Sequence, residues 1–260
     1  MATSGDSGKL AGKTALVTGA GSGLGQASAI ALAAEGAFVA LTELPDRMDR
    51  AQETVTTIEQ AGGRGLALPL DVTDMPSIDE CVANAAKATG RLDIVVNNAG
   101  INIPKLAFDV TEQDWDRVLD INLKGVFFVA QAAGRVMRDQ DPQGGSIINI
   151  ASQMGILGYW YRAAYCSSKA GVVNLGRVLA IEWAQYNIRV NAVCPTFVDT
   201  PLTKPMFEDP AFREEILSRI PLGRLATPQE IAAGVVYLAS PGAAMVDGQA
   251  LVIDGGWTAI

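Results

Sequence analysis

The side chains best suited to proton transfer in this 260-residue chain are Tyr165 and Lys169. They stand four residues apart in a segment of helical spacing, so they share one helix face. An ammonium about 4 Å from a phenol favours the phenolate by about 4 kcal/mol at an effective dielectric of ~20, before the cost of desolvation. This predicts that the pKa of Tyr165 falls from about 10 toward ~7. Tyr165 can then act as a general base in a chain that has no histidine.

Two further polar residues complete the candidate catalytic set. Ser152 follows the apolar run 146–150, and a parallel sheet places such a residue at its carboxyl edge, where the hydroxyl can hold a reacting oxygen. Asn122 falls within a long, mainly apolar segment, and its amide has two interpretations. It bends a helix around a water linked to Lys169, or it satisfies a local carbonyl.

A glycine-rich turn, Gly19-x3-Gly23-x-Gly25, joins the apolar run 14–17 to a helical segment. Free backbone N–H groups and the positive end of a helix dipole predict a pyrophosphate there. Glu43 stands 24 residues beyond Gly19 at the end of the next strand, the place of a carboxylate that holds an adenosine ribose diol and repels a 2′-phosphate. We therefore expect NAD over NADP, a preference that the nearby Arg47 weakens.

Asp71 and Val72 end the third predicted strand. The Asp71 carboxylate has two interpretations: it accepts a hydrogen bond from the adenine amino group, or it caps a turn.

These residues are positioned by alternating strands and helices, a βαβ pattern. Most of the strands are continuously apolar, as strands buried on both faces of a parallel sheet are. We predict a single Rossmann-type, doubly wound α/β domain over 11–260, after a tail at 1–10, with helices on both faces of a seven-stranded parallel sheet. The expected strands are 14–17, 38–41, 65–70, 92–96, 146–150, 188–193 and 250–253. The expected helices are 23–34, 47–60, 77–88, 112–137, 163–185 and 228–239.

Composition excludes several classes of function. The net charge of −8 has the wrong sign for binding nucleic acid phosphates. Three widely spaced cysteines and no histidine leave no common zinc site, no expected disulfide and no Ser-His-Asp or Cys-His catalysis. No apolar run is long enough to span a membrane, and the N-terminus has no signal-peptide core, so we expect a cytoplasmic protein.

Together the motifs resemble those of the short-chain dehydrogenase/reductase family, of its single-domain NAD(P)-dependent type. The resemblance covers nearly the whole chain, from Lys13 to Gly256. It rests on Thr18-Gly19-x3-Gly23-x-Gly25, Asp71-Val72, Asn97-Asn98-Ala99-Gly100, Asn122, Ser152, Tyr165-x3-Lys169, Arg189-Val190-Asn191 and Asp254-Gly255-Gly256.

The resemblance implies hydride transfer between NAD and a secondary alcohol or ketone. Tyr165 would be the general acid/base, Ser152 would orient the substrate oxygen, Lys169 would bind the nicotinamide ribose and tune Tyr165, and Asn122 would serve a proton relay. It also implies a homotetramer. The expected cofactor contacts are Gly19, Ser22, Gly23, Leu24, Gly25, Glu43, Asp71, Val72, Asn98, Ala99, Gly100, Tyr165, Lys169, Pro195, Val198 and Thr200.

Two features depart from the family pattern. Thr196 follows Pro195 where glycine is usual, and Asp247 precedes Gly248 where threonine is usual. The proline-rich segment 197–222 is predicted to be a substrate lid, with a plain surface excursion as the alternative.

The substrate wall is expected to be aromatic and polar, which suits a sugar, sugar acid or polyol. Its aromatic residues could instead pack between subunits. The candidate substrate residues are Asn102, Gln153, Met154, Trp160 and Arg162. The alternatives are a 3-oxoacyl thioester reductase and a non-catalytic cofactor-binding regulator.

Overall fold

The computed structural model describes residues 8–200 and 203–259. Seven parallel strands form one sheet in the order β3-β2-β1-β4-β5-β6-β7, which confirms the predicted fold class. The strands are β1 Thr14–Val17, β2 Phe38–Glu43, β3 Arg64–Pro69, β4 Ile94–Asn97, β5 Gly145–Ile150, β6 Ile188–Pro195 and β7 Ala250–Ile253. The strand order reverses between β1 and β4, and ligands bind at such a switch point in open α/β sheets.

Eight α-helices accompany the sheet within the described residues. They are α1 Gly23–Ala34, α2 Met48–Gln60, α3 Met75–Lys87, α4 Glu112–Leu119, α5 Val126–Asp139, α6 Ala163–Trp183, α7 Pro210–Ser218 and α8 Pro228–Ala239. One apolar cluster packs α1, α2 and α8 on one face of the sheet, and a second packs α3, α5 and α6 on the other. None of these helices is long and apolar enough to cross a bilayer.

Local signals in the sequence set several helix starts. Thr111 and Asp114 form a reciprocal capping box at α4, and Thr227 and Glu230 form another at α8. Each box satisfies backbone N–H groups that the first helical turn leaves without partners. At the chain start, residues 1–7 lie outside the described part, but Leu10 of the expected tail is 1% exposed and packs in the core. The packed domain therefore begins before residue 11.

The expected continuous helix at 112–137 is wrong in one respect. Residues Asp120–Gly125 form a π-helical turn that separates α4 from α5. A side chain added at Gly125 would lie 2.7 Å from the Val72 carbonyl oxygen, so this turn packs tightly against the end of the β3 region. The wider turn carries Asn122, which is completely buried.

The departure at Asp247 has a structural explanation. Its Oδ1 accepts hydrogen bonds from the backbone N–H groups of Val190 (2.8 Å) and Gly248 (3.0 Å). Val190 lies near the start of β6, whereas Ser152 and the glycine-rich turn follow strand ends. Asp247 thus ties the loop before β7 to β6 at the edge opposite the candidate site.

Candidate active site

The glycine-rich turn lies between β1 and the first turn of α1. Gly19 has φ +62°, a conformation that glycine adopts without steric cost. A Cβ added at Gly25 would lie 2.3 Å from the Gly19 carbonyl oxygen, so only glycine fits there. Ser22 occupies the N-cap position of α1, where its side chain makes no cap hydrogen bond. Leu24 belongs to the first turn, and the backbone N–H groups of that turn are the anion-binding feature of a helix N-terminus.

A second turn, after β4, is tied directly to the first. The Asn98 side-chain amide donates to the carbonyl oxygens of Thr18 (2.9 Å) and Gly19 (3.0 Å). The Thr18 hydroxyl accepts from the N–H groups of Asn98 and Ala99, both at 2.9 Å. Thr18 was in the sequence motif but not among the candidate site residues. Its position at the end of β1, directly before the glycines, is the signal that could have singled it out.

Glu43 ends β2 and faces the glycine-rich turn. A Cβ added at Gly21 would lie 2.7 Å from Glu43 Oε2 and 2.8 Å from the Cβ of Arg50. Glu43 Oε1 accepts a hydrogen bond from the N–H of Leu44 at 3.1 Å, which orients the carboxylate. The expected neighbour Arg47 is exposed and sits beside Asp46. The Cβ of Arg50 packs beside this turn, a neighbour that the sequence analysis did not predict.

This arrangement fits a dinucleotide. The turn is a cradle that a Cβ at Gly21 or Gly25 would fill, and it lies beside a carboxylate at the strand end. The helix N-terminus suits a pyrophosphate, and Glu43 suits a ribose diol.

One oxygen of the Asp71 carboxylate caps a turn, as the second interpretation of this residue predicts. Oδ1 accepts from the N–H (2.9 Å) and the hydroxyl (2.7 Å) of Thr73. Val72 is buried against the π-helical turn. Contact of Asp71 with adenine stays a prediction.

Ser152 and Tyr165 come from different elements. Ser152 follows β5, and its hydroxyl accepts from the N–H of Met154 at 3.1 Å, which starts a short 3-10 helix. Tyr165 lies in the first turn of α6 and is partly buried. Burial raises the pKa of Tyr165, while the Ser152 hydroxyl and the positive charge of Arg162 oppose that increase.

The expected lowering of the Tyr165 pKa by Lys169 is wrong for this structure. Lys169 Nζ lies 5.7 Å from the centre of the Tyr165 ring and donates to the Ile150 carbonyl oxygen at 2.7 Å. The predicted attraction requires direct contact between ammonium and phenol, and in this structure the cost of desolvating the phenolate is the larger effect. Lys169 is 4% exposed, and burial lowers its own pKa to about 8.

Asn122 clamps the chain that follows β4. Its Oδ1 accepts from the Ile101 N–H (2.8 Å), and its Nδ2 donates to the Ile101 carbonyl (2.8 Å) and to the Ser168 hydroxyl (3.2 Å). A Cβ added at Gly100 would lie 3.2 Å from Asn122 Oδ1 and 3.7 Å from Lys169 Nζ. The carbonyl that Asn122 satisfies is thus distant in sequence rather than local, and its role in a proton relay stays a prediction.

The segment after β6 lies over the site. A Cβ added at Gly23 would lie 3.8 Å from Thr200, which places Thr200 beside the glycine-rich turn. Val198 forms an isolated bridge with Ala226. Pro195 ends β6 in register with Ile253, and Thr196 continues that pairing, with its N–H 3.1 Å from the Ile253 carbonyl oxygen. The predicted lid contains α7 and a 3-10 helix at Lys204–Glu208, and it packs on Tyr165 through an aromatic cluster.

The structure brings only some of the candidate substrate residues together. Met154 and Tyr165 belong to the aromatic cluster, and Arg162 lies against its rings. Gln153 is 1% exposed, and both polar atoms of its side chain lack a partner within the described chain. Asn102 Oδ1 is also unpartnered there. Trp160 is 69% exposed and is not part of the cluster.

Phe197 and Trp257 are members of the cluster that the sequence analysis missed. Their rings stack with centroids 5.9 Å apart. They come from the segment after β6 and from the chain end, and no local pattern links two such distant residues. Across residues 8–200 and 203–259, no group of three or more acidic or cysteine side chains could hold a metal ion.

Known proteins are similar to this chain over nearly its whole length. The family model described as "Enoyl-(Acyl carrier protein) reductase" matches residues 19–258. A 3-oxoacyl-[acyl-carrier-protein] reductase of Thermotoga maritima is 42% identical, over 95% of this chain and 98% of that protein. A D-threitol dehydrogenase of Mycolicibacterium smegmatis is 43% identical, over 96% of this chain and 94% of that protein. Other relatives are named 2-dehydro-3-deoxy-D-gluconate 5-dehydrogenases.

Solved structures agree with these matches. A short-chain type dehydrogenase/reductase from Mycobacterium marinum has a TM-score of 0.91 and 37% identity, with 96% of this chain and 97% of that chain covered. Two other similar structures contain bound NADP. By sequence, by fold and by the motif positions that the structure brings together, the chain belongs to the short-chain dehydrogenase/reductase family.

Proposed function

We propose that this protein is an NAD-preferring dehydrogenase that interconverts a secondary alcohol and a ketone. The observation that carries the proposal is the meeting of three side chains at the carboxyl edge of the sheet. Ser152 follows β5, while Tyr165 and Lys169 come from α6. The turn Asn98–Gly100 lies between Lys169 and the glycine-rich turn. The intact set argues against a non-catalytic regulator.

In the proposed mechanism, Ser152 and Tyr165 hold the reacting oxygen between two hydroxyl groups. In oxidation, the Tyr165 phenolate takes the alcohol proton; in reduction, the phenol returns it to the carbonyl oxygen. The Ser152 hydroxyl and the positive charge of Arg162 both favour the phenolate. When bound, a nicotinamide supplies the hydride acceptor or donor. Lys169, whose Nζ lies 5.7 Å from the centre of the Tyr165 ring, would orient the nicotinamide ribose.

The proposed substrate is a sugar, sugar acid or polyol. The site combines the aromatic faces of Tyr159 and Phe197 with the buried amide of Gln153, which suits C–H surfaces and hydroxyl groups respectively. The threitol and gluconate-type relatives support the same substrate class.

A panel of alditols, aldonates and simple secondary alcohols, assayed with NAD and with NADP by reduced-nicotinamide absorbance, tests the proposal. We expect turnover with at least one polyhydroxylated substrate and a higher kcat/KM with NAD. Absence of turnover across the panel in both reaction directions would contradict it.

Glu43 is proposed to set the cofactor preference. Replacement of Glu43 by Ala removes the carboxylate that would bind a ribose diol and repel a 2′-phosphate. We expect the ratio of kcat/KM for NAD to that for NADP to fall by at least about tenfold, since a charged hydrogen bond is worth roughly 1.5–3 kcal/mol. Asp46→Ala, a nearby exposed acid, is the control and should leave the ratio as it is. A wild-type enzyme that uses NADP equally well would overturn the preference.

A 3-oxoacyl thioester reductase is the second candidate. The Thermotoga relative, named a 3-oxoacyl-[acyl-carrier-protein] reductase, favours it. The net charge of −8 and Glu43 argue against it, since an acidic carrier protein and NADPH both suit a basic surface. NADPH oxidation with acetoacetyl-CoA, if faster than with any alcohol or sugar ketone, would favour this candidate.

Homotetramer assembly, lid closure over 197–222 and a cytoplasmic location remain proposals. Assembly is supported by α6, which exposes Ile181 (80%) and Val178 (44%) on its outer side. Apolar side chains at helical spacing on an exposed face suit a contact with another copy. The lid is supported by the packing of its aromatic residues on Tyr165.

A further inference from the structure

Arg162 is a buried cation beside the catalytic tyrosine. The residue is 8% exposed, and no hydrogen-bond partner of its guanidinium is found across residues 8–200 and 203–259. Its Cζ lies 5.6 Å from the centre of the Phe197 ring, 5.9 Å from Tyr159 and 6.0 Å from Tyr165. The ionisable groups that act on it are two tyrosines and the Cys166 thiol, with no carboxylate among them. The Arg162 charge is therefore surrounded by aromatic rings, and no carboxylate among the described residues pairs with it.

A largely buried charge without an acid partner is costly in free energy. An arginine stays protonated in proteins, so burial cannot be relieved by loss of the proton. Buried charges are normally paired with an opposite charge and hydrogen-bonded. Cation–π contacts recover part of the cost, but the five N–H donors of the guanidinium fork are best met by a carboxylate or phosphate.

Arg219, a second arginine on the same aromatic cluster, differs from Arg162 in having an acidic partner. Arg219 lies 5.9 Å from the same Tyr159 ring and 5.8 Å from Trp257. Its Nε is 3.0 Å from Glu215 Oε1, so this cation forms an ion pair within the chain. Both arginines stack on the cluster, and only Arg162 lacks a carboxylate partner in the described chain.

The backbone holds Arg162 in place through a strained turn. Tyr161, directly before it, has φ +62°, which is uncommon for a residue other than glycine. The Tyr161 carbonyl accepts from the Lys105 N–H at 3.0 Å, and Lys105 and Arg162 form an isolated bridge. Backbone strain of this kind occurs at ligand sites, where the surrounding structure holds it.

A second buried group near the site also lacks partners. Gln153 follows Ser152, and neither its Oε1 nor its Nε2 is hydrogen-bonded within the described residues. Lys169, the other buried cation here, donates to the Ile150 carbonyl and to no other partner among the described residues. The site thus combines two cations and a free amide, although the whole chain carries a net charge of −8. Its local charge suits an anion.

We infer that the substrate is a hydroxy acid whose carboxylate binds the Arg162 guanidinium while its carbinol meets Ser152 and Tyr165. The inference rests on the proposed function and narrows it from sugars and polyols in general to anionic substrates. Because Arg162 lies within 6.0 Å of the ring that bears the reacting phenol, one small molecule can reach both groups. The carbinol is oxidised to a ketone, with its hydride passing to NAD and its proton to Tyr165. The carboxylate is unchanged.

The test compares acids with alcohols of the same carbon skeleton: D-gluconate with D-glucitol, D-threonate with D-threitol, and D-glycerate with glycerol. We expect wild-type kcat/KM with NAD to be higher for the acid in at least one pair. In that pair, Arg162→Met should lower kcat/KM for the acid about 100-fold more than for the alcohol, mainly through KM, since loss of one partner of a buried charge pair costs this much. Arg162→Lys, which keeps the charge and loses the fork, should fall between the two. Arg219→Met is the matched control and should leave the acid-to-alcohol ratio unchanged.

Binding is measured separately from turnover, as the thermal shift that each acid produces with NADH present. A shift from the acids that disappears in Arg162→Met supports the inference, even where no substrate of the panel is oxidised. In that case the acid-binding inference stands and the proposed dehydrogenase function is contradicted. Turnover of the alcohols with no binding of any acid overturns the inference and leaves the proposed function standing. Equal losses for acid and alcohol in Arg162→Met would mean that the arginine only supports the aromatic cluster. If Arg162→Met does not fold, the ratio of kcat/KM for the acid to kcat/KM for the alcohol in Arg162→Lys tests the inference. A ratio equal to that of the wild type would overturn it.

Discussion

Replacement of Tyr165 by Phe is expected to lower kcat by about 10²–10⁴-fold, the range for loss of a positioned general acid/base. The phenyl ring keeps its place among Met154, Phe197 and Trp257, so the cluster stays packed. What the variant loses is the hydroxyl that exchanges a proton with the reacting oxygen. The measurement is steady-state turnover on the best substrate of the panel, with NADH affinity followed by fluorescence titration.

The control for this variant is Tyr237→Phe. Tyr237 lies on α8 and is 44% exposed, and no catalytic role is proposed for it. It should keep the wild-type kcat. Near-normal turnover of Tyr165→Phe, with NADH still bound, would overturn the acid/base assignment.

Replacement of Lys169 by Met is expected to cost activity and yet raise stability at neutral pH. The ammonium is buried with one backbone acceptor, and burial lowers its pKa from 10.5 to about 8. That shift corresponds to about 3 kcal/mol of stability lost when the charge is buried, since one pKa unit is worth about 1.4 kcal/mol. Met retains most of the apolar stem. We expect kcat/KM to fall by at least about 100-fold, because the cation proposed to orient the nicotinamide ribose is gone.

The pH dependence of this stability difference has a definite sign. Below about pH 8, Lys169 is charged in both folded and unfolded chains, so the wild type bears the full cost. Between pH 8 and 10.5 the unfolded chain binds more protons than the folded one, so wild-type stability rises with pH relative to Lys169→Met. The excess stability of the variant should therefore shrink over this interval. Denaturant unfolding of both proteins at several pH values measures it.

Lys87→Met is the matched control for stability. Lys87 is an exposed residue in the last turn of α3, and its replacement should change the unfolding free energy little at any pH in this range. A Lys169→Met protein less stable than wild type at pH 7 would contradict the cost assigned to the buried charge. Unchanged activity would contradict the role of Lys169 in the site.

The local pattern of the chain predicted most elements of the fold. The bounds of β1, β7, α1 and α8 match the expected ranges, because short apolar runs and helix-start residues mark them locally. The parallel βαβ pattern also predicted the location of the site at the carboxyl edge of the sheet, since all parallel strands end at the same edge. That geometry predicts Ser152 and Glu43 at strand ends from the sequence alone. The family resemblance added the roles of the motif residues.

The interruption at Asp120–Gly125 could not be predicted in the same way. The segment has helical composition throughout, and the π-helical turn holds Asn122 on the backbone of Ile101, 21 residues earlier. Helix periodicity is a local property, whereas this clamp depends on where a different loop passes. The packing of Arg50 beside the glycine-rich turn has the same cause, because Arg50 lies on the next helix and meets the turn only in the folded chain.

The sequence by itself determined the parallel α/β architecture, the glycine-rich turn and the pairing of a tyrosine and a lysine on one helix face. These depend on spacing along the chain. The tertiary structure decided the electrostatic state of the site: the bond from Lys169 to Ile150, the raised pKa of Tyr165 and the enclosure of Arg162 by rings from three segments. Burial and partner geometry depend on residues far apart in sequence, and the energy of a charge depends on both.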